Sequence, residues 1–183
     1  MPHLFENAPS GRAKCRGCTR PIPKGELRFG ERIPNPFAEG ETTIWFHPMC
    51  AAYKRPEAMH ETLAAGTGDV PDAAALERAA RFSSAQRRLP RIDGAEHSPT
   101  SQAKCRFCHE PVLRGAWRIR LSFYEEGRFA PGGFIHLPCR QGYFETADIL
   151  EALLHFSPEL SDEERADLER ACAETVPPPA PQA

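Results

Sequence analysis

The sequence predicts an α+β fold built from two small, similar modules in tandem, each a short antiparallel sheet followed by helices. Three observations predict it. The chain repeats itself: Cys15 and Cys18 recur 90 residues on as Cys105 and Cys108, and His47 and Cys50 recur 89 residues on as His136 and Cys139. Between the two halves of each set lie segments that alternate polar and apolar residues, the period of a half-buried strand. After the second half of each set the pattern turns helical.

Taken in order, residues 1–9 read as a flexible lead and 10–56 as module one. Within it, residues 26–29 and 42–46 read as strands, and 35–40 as a loop by its Pro and Gly. Residues 57–100 are expected to be a helical segment and a linker. Helix runs from Pro56 to about Ala65, breaks at Gly66, Gly68 and Pro71, and resumes after Asp72, an N-cap residue, to about Arg88. Residues 89–99 complete the linker.

Module two, 101–145, repeats the plan with a strand at 116–121, a loop at 124–133 and a return to His136. Residues 146–176 read as acidic C-terminal helices. Ile149, Leu150, Leu153 and Leu154 have helical spacing, and Ser161 with Glu164 is a capping box opening a last helix to about Ala173. Residues 177–183, four of them Pro, are expected to be disordered. Trp45, Trp117 and Phe134 are core candidates, because so small a module has few other large residues to bury.

With 40% hydrophobic residues and a mean hydropathy of -0.51, no stretch approaches the roughly 18 apolar residues of a membrane span. The first residues carry no basic and apolar signal pattern, so a reducing, intracellular compartment is expected. Seven cysteines are therefore poor material for a disulfide framework, and an odd number cannot pair completely. Three thiolates and one imidazole do form a closed tetrahedral donor set for Zn2+, so two structural zinc ions are expected, one on Cys15, Cys18, His47 and Cys50 and one on Cys105, Cys108, His136 and Cys139. No position is left for a catalytic water. Cys172 is left over. Iron–sulfur ligation fits less well because each set contains a histidine. His3, His60, His97, His109 and His155 read as surface residues, His109 being the one competitor as a ligand.

With 28 residues between C-x-x-C and H-x-x-C in module one and 27 in module two, the sets resemble the zinc finger of poly(ADP-ribose) polymerases, also found in a eukaryotic DNA ligase. Gly11-Arg12-Ala13-Lys14-Cys15 is similar to the basic lead of that finger, Leu27-Arg28-Phe29 to its arginine-bearing strand, and Trp45-Phe46-His47 to its aromatic pair before the ligand histidine. Leu154-His155-Phe156-Ser157-Pro158 followed by acidic residues resembles the segment trailing these fingers. The resemblance covers most of residues 10–174. It implies binding to DNA at breaks, nicks or single-strand junctions, with phosphates on a basic face and apolar loop residues stacked on exposed bases. Carried over by position, Arg12 and Arg28 are phosphate contacts and Phe37 a stacker; in module two Arg118 replaces Arg28, with Phe129 or Tyr124 stacking. Lys14, Arg16, Arg32, Lys104, Arg106 and Arg120 join the same faces. Gln102 stands where Arg12 would recur, and Phe134-Ile135 replaces the Trp-led pair.

The net charge of -2 conceals a polarised chain. Residues 8–56 hold nine basic and four acidic residues, 101–145 seven and four, and 146–183 two and nine. Basic fingers with interleaved aromatic residues suit phosphate backbones and opened ends. The expected function is thus a non-enzymatic, sequence-independent DNA-binding protein that recognises strand discontinuities. It would act in the cytoplasm or nucleoid of a bacterium or in a eukaryotic nucleus, with the acidic helices free for a protein partner. The alternative is a zinc-stabilised adaptor that binds protein and not DNA. A zinc nuclease lacks an open metal position and a carboxylate and histidine cluster.

Overall fold

The structure, a computed structural model, describes residues 2–35, 38–66, 70–86, 88–125 and 127–174. It divides into two compact units, one of residues 1–85 with 125–129, the other of residues 86–124 with 130–183.

In the first unit β1 (Leu4–Asn7), β2 (Leu27–Pro34) and β3 (Glu41–Phe46) form an antiparallel sheet in that order. Phe29 sits opposite Phe5 on one side and Phe46 on the other, and Phe29 and Phe46 are fully buried. Gly30 lies between Leu4 and Trp45; a Cβ there would stand 2.7 Å from the Trp45 ring, so this position has to be glycine for the indole to lie down on the strand. Three helices follow: α1 (Pro48–Lys54), α2 (Pro56–Ala64) and α3 (Ala73–Ala85). Pro48 and Pro56 open their helices at a position where no N–H is needed. Helix α3 packs on α1 and α2 through Leu76, Ala79, Ala80 and Ser83, one face of a 3.6-residue repeat.

The second unit repeats the plan. Strands β4 (Arg91–His97), β5 (Trp117–Glu125) and β6 (Arg128–His136) form its sheet in that order. A 3-10 turn (Leu137–Cys139) leads into α4 (Arg140–Phe144), α5 (Leu150–His155) and α6 (Asp162–Ala173). The register of β4 against β5 slips between Ile92 and Ala95, where Gly94 has φ 115. A Cβ on Gly94 would lie 2.5 Å from the Arg120 guanidinium and 2.6 Å from the Phe156 carbonyl, so the bulge admits no side chain.

Four expectations are corrected. The flexible lead contains β1, held by Phe5 packed edge-on against Phe29 at 5.3 Å. The linker contains β4, whose Ile92 and Ala95 are buried. The loop at 124–133 is largely strand, since β5 reaches Glu125 and β6 begins at Arg128. The module boundaries move outward accordingly: each module begins with an edge strand and ends with a helix, α3 or α6, that packs back on the turn or helix after the last cysteine. The capping box holds, with the Ser161 hydroxyl accepting from the Glu164 N–H and the Glu164 carboxylate accepting from the Ser161 N–H. Helix α3 begins after Asp72, whose carbonyl accepts from Ala75 and Leu76, and stops at Ala85. At the far end of α6, the Arg140 guanidinium donates to the carbonyls of Cys172 and Glu174. Residues 177–183 lie outside the described residues.

Candidate metal centres and nucleic-acid interface

Each C-x-x-C stands in a tight knuckle, and the two knuckles share their hydrogen bonds. The Cys15 N–H donates to the Arg20 carbonyl and Thr19 N–H to the Cys15 carbonyl; Cys105 to Glu110 and His109 to Cys105 are the same bonds in module two. Thr19 and His109 both take positive φ, 62 and 64, to close the turn. One strand over, the N–H of Arg16 donates to the Trp45 carbonyl and that of Arg106 to the Phe134 carbonyl, which brings the end of β3 or β6, and with it the ligand histidine, against the knuckle. Turn or helix then returns Cys50 and Cys139.

The result is two sets, Cys15, Cys18, His47 and Cys50, and Cys105, Cys108, His136 and Cys139, whose ligand atoms all lie within 4.8 Å of one another. The Nδ1 of His47 is 3.4 Å from Cys18 Sγ and 3.9 Å from Cys50 Sγ, and that of His136 is 3.3 Å from Cys108 Sγ and 3.8 Å from Cys139 Sγ. Such spacings fit a tetrahedron with metal–ligand bonds of about 2.0–2.3 Å. The Nε2 of each ring faces a carbonyl outside the set, Pro21 at 3.3 Å and Pro111 at 3.0 Å, which fixes Nδ1 as the metal-facing nitrogen. Backbone N–H groups of His47 and His136 point at Cys15 and Cys105 sulfur. Hydrogen bonding from Cys139, set against burial, pulls the Cys105 thiol down to about 4. Cys15 and Cys18 raise His47 to about 10. Thiols crowded this closely exchange their protons for a cation. With three sulfurs and one nitrogen in each set, both are zinc sites of the closed, structural kind. His109 is exposed and belongs to neither set.

The expected DNA contacts divide into two groups. Arg12, Lys14, Arg16, Lys104 and Arg106 are exposed around the knuckles. Arg28 and Arg118, expected as phosphate contacts, are not; each is 7% exposed. Arg28 is ion-paired to Glu6 on β1 and lies 3.5 Å over the Trp45 ring. Arg118 is ion-paired to Glu96 on β4 and lies 3.7 Å over the Phe134 ring. Arg120 is also turned inward, to Glu96 at 3.0 Å and Glu159 at 3.1 Å. Arg32 is half-buried, its N–H donating to His3 Nδ1. Phe129 is half-buried, edge-on to Phe46 at 6.3 Å with the Lys54 ammonium above it. Tyr124 is half-buried as well. Phe37 lies outside the described residues.

Sequence reasoning missed Glu6 and Glu96. Their signal is the repeat itself, because they are 90 residues apart, the same offset as the first cysteines and as Arg28 and Arg118. The modules part company at the knuckle. Arg20 donates to Cys18 Sγ at 3.4 Å, adding positive charge beside a site of net charge -1, whereas Glu110 holds that position in module two.

Comparison with known proteins agrees with this geometry. Residues 6–83 match the family described as the poly(ADP-ribose) polymerase and DNA-ligase Zn-finger region, a span that begins at Glu6 and ends in α3. A poly [ADP-ribose] polymerase of Sarcophaga peregrina is 26% identical over 93% of this chain and 20% of its own length, too long a span to omit either metal set. One from Drosophila melanogaster is 27% identical over 68% of this chain and 14% of its own length. Poly [ADP-ribose] polymerase 1 of Caenorhabditis elegans is 36% identical over 50 residues. The chain thus spans a fifth or less of these relatives. Among the described residues no helix is long and apolar enough to cross a membrane.

Proposed function

We propose that this chain, which carries tandem zinc fingers of the poly(ADP-ribose) polymerase type, binds DNA at strand breaks, nicks or single-strand junctions without regard to sequence. The observation that carries the reading is the cluster of Arg12, Lys14 and Arg16 on the knuckle of module one: all three are exposed, and none has an acidic partner among the described residues. Three unneutralised cations within five residues, held on a zinc-fixed turn, are a contact surface for phosphates, whose binding releases counterions and ignores base identity. The zinc ions hold this surface in place and have no open position for chemistry, so the proposed activity is binding and not catalysis.

Module two supports a second reading for its own knuckle. Gln102 and Glu110 replace Arg12 and Arg20, which leaves Lys104 and Arg106 with an acidic neighbour. A surface of mixed charge suits a protein partner better than a phosphate backbone. Fluorescence anisotropy of the zinc-loaded chain with intact, nicked, gapped and single-stranded DNA at matched salt tests the first reading. Preference for the discontinuous duplexes supports it, and equal affinity for intact duplex would sink it.

A further inference from the structure

The first unit has a groove of about 490 Å3 beside its metal knuckle, lined by Arg12, Lys14, Arg16, Trp45, Arg128 and Phe129 among others. Arg128 and Phe129 belong to the first unit although they begin β6. Three features are informative. All four cations of the lining are exposed, and none makes an ion pair among the described residues. The lining residues include no carboxylate. Trp45, Phe129 and Ile44 supply apolar wall, and Thr43 and Thr19 also line the groove, the Thr19 hydroxyl donating to the Cys18 carbonyl.

A flat phosphate backbone needs cations but no groove, and an apolar ligand needs a groove but no cations. A site that combines four cations, without ion-pair partners among the described residues, with aromatic walls suits a ligand carrying phosphate at one end and a planar ring at the other. Its volume falls within the range of small-ligand sites, room for a single nucleotide and not for a duplex. We propose that the groove takes one unpaired, phosphorylated nucleotide, with its base against Trp45 or Phe129 and its phosphate on Arg12, Lys14, Arg16 and Arg128. The inference rests on the break-binding reading and sharpens it: the duplex beside a break is gripped on the knuckle, while Arg128 and Phe129 single out a nucleotide that has left the helix.

The test uses the full zinc-loaded chain and its Arg128→Gln variant, an exposed position whose change should leave the urea midpoint unmoved. Two fluorescent probes are compared, a nicked duplex and the same nick bearing a one-nucleotide phosphorylated flap. The wild type is expected to prefer the flap about tenfold, the range of one stacked base, and Arg128→Gln to abolish that preference while binding the plain nick within about twofold. Displacement of the flap probe by free AMP, lost in Arg128→Gln, would assign the groove to a free nucleotide; flap preference without such displacement would assign it to a DNA end. Either supports the site. Equal binding of flap and plain nick by the wild type, or equal loss on both probes in the variant, overturns the inference and leaves break binding standing. Failure to bind either probe overturns both.

Discussion

The carboxylate of Glu6 accepts hydrogen bonds from Nε and Nη2 of Arg28 across the ladder between β1 and β2. Ninety residues on, Glu96 and Arg118 repeat the bond across β4 and β5. In each module the same guanidinium lies against the aromatic residue two before the metal-binding histidine. One arginine therefore ties the edge strand to the strand that delivers a zinc ligand. Removing the acid leaves a nearly buried cation without its counter-charge. Because Glu6 is itself 39% exposed, water relieves part of the cost, so Glu6→Ala should destabilise module one by about 1–3 kcal/mol in urea unfolding. The double variant Glu6→Ala/Arg28→Met should recover part of that loss. Equal stability of Glu6→Ala and wild type would show the pair to be ornamental.

Glu96 extends the argument to pH. Burial works to raise its carboxyl, but hydrogen bonds from Arg118 and Arg120 outweigh it and hold the group below the ordinary glutamate value. A depressed folded value means that the unfolded chain binds the proton more tightly. The contribution of Glu96 is then fully present above the unfolded value of about 4.3 and is lost as pH falls through the folded one. Thermal melts between pH 6 and pH 3 should show wild type losing stability below about pH 4.3 more steeply than Glu96→Gln. Parallel curves would mean that the two arginines do not discriminate between the charged and neutral acid.

The metal ligands were legible in the sequence because their chemistry is covalent in character: four donors at fixed spacing, written twice. The helices were legible from Leu76, Ala79 and Ala80 and from the Ser161 capping box. Strands β1 and β4 were not, for a physical reason. Each is a short edge strand stabilised by a distant partner, and Leu4-Phe5-Glu6-Asn7 and Ile92-Asp93-Gly94-Ala95 carry little pattern of their own. The roles of Arg28 and Arg118 were hidden by the same gap. An alternating strand predicts which side a residue takes, not that a glutamate from an unrecognised neighbour will be waiting there.

Metal removal tests the zinc sites. Mass spectrometry under native conditions should find two zinc ions per wild-type chain and one in Cys105→Ala, since each set is complete in itself. Chelation should abolish much of the far-UV circular dichroism, because neither sheet has more than three strands and each module depends on its ion to join knuckle, sheet and helix. Retention of the full spectrum after verified zinc loss would assign the fold's stability to its apolar core instead.

Ser157 is a second test of the trailing segment. Its side chain is wholly buried, accepting from the Ala95 N–H at 2.7 Å and donating to the Ala95 carbonyl at 3.3 Å. It pairs with both backbone groups of Ala95, one residue past the bulge at Gly94, and anchors the chain after α5 to the edge strand. Ser157→Ala strands both groups, and should cost about 1–3 kcal/mol, far more than an exposed serine. Ser157→Thr, which keeps the hydroxyl, adds a methyl group to a wholly buried side chain, so it should not rescue fully. A neutral Ser157→Ala in denaturant titration would place the segment's anchor elsewhere.

The last prediction concerns the difference between the modules. Arg12 is exposed beside the first knuckle with no ion-pair partner among the described residues, and Gln102 holds the same place beside the second. If module one does the gripping, Arg12→Ala should lower affinity for nicked DNA about equally across sequences and reduce the slope of log K against log salt by about one phosphate contact. Gln102→Ala should do nothing, having no charge to lose. Gln102→Arg is the informative reverse: it gives module two the cation it lacks, and should raise affinity and steepen the slope by a similar amount, provided Glu110 does not capture the new side chain. Adding Glu110→Arg removes that competitor and restores the charge pattern of module one. If this double variant still binds no better than wild type, the second knuckle does not face DNA at all, and its mixed charge is to be read as a surface for protein.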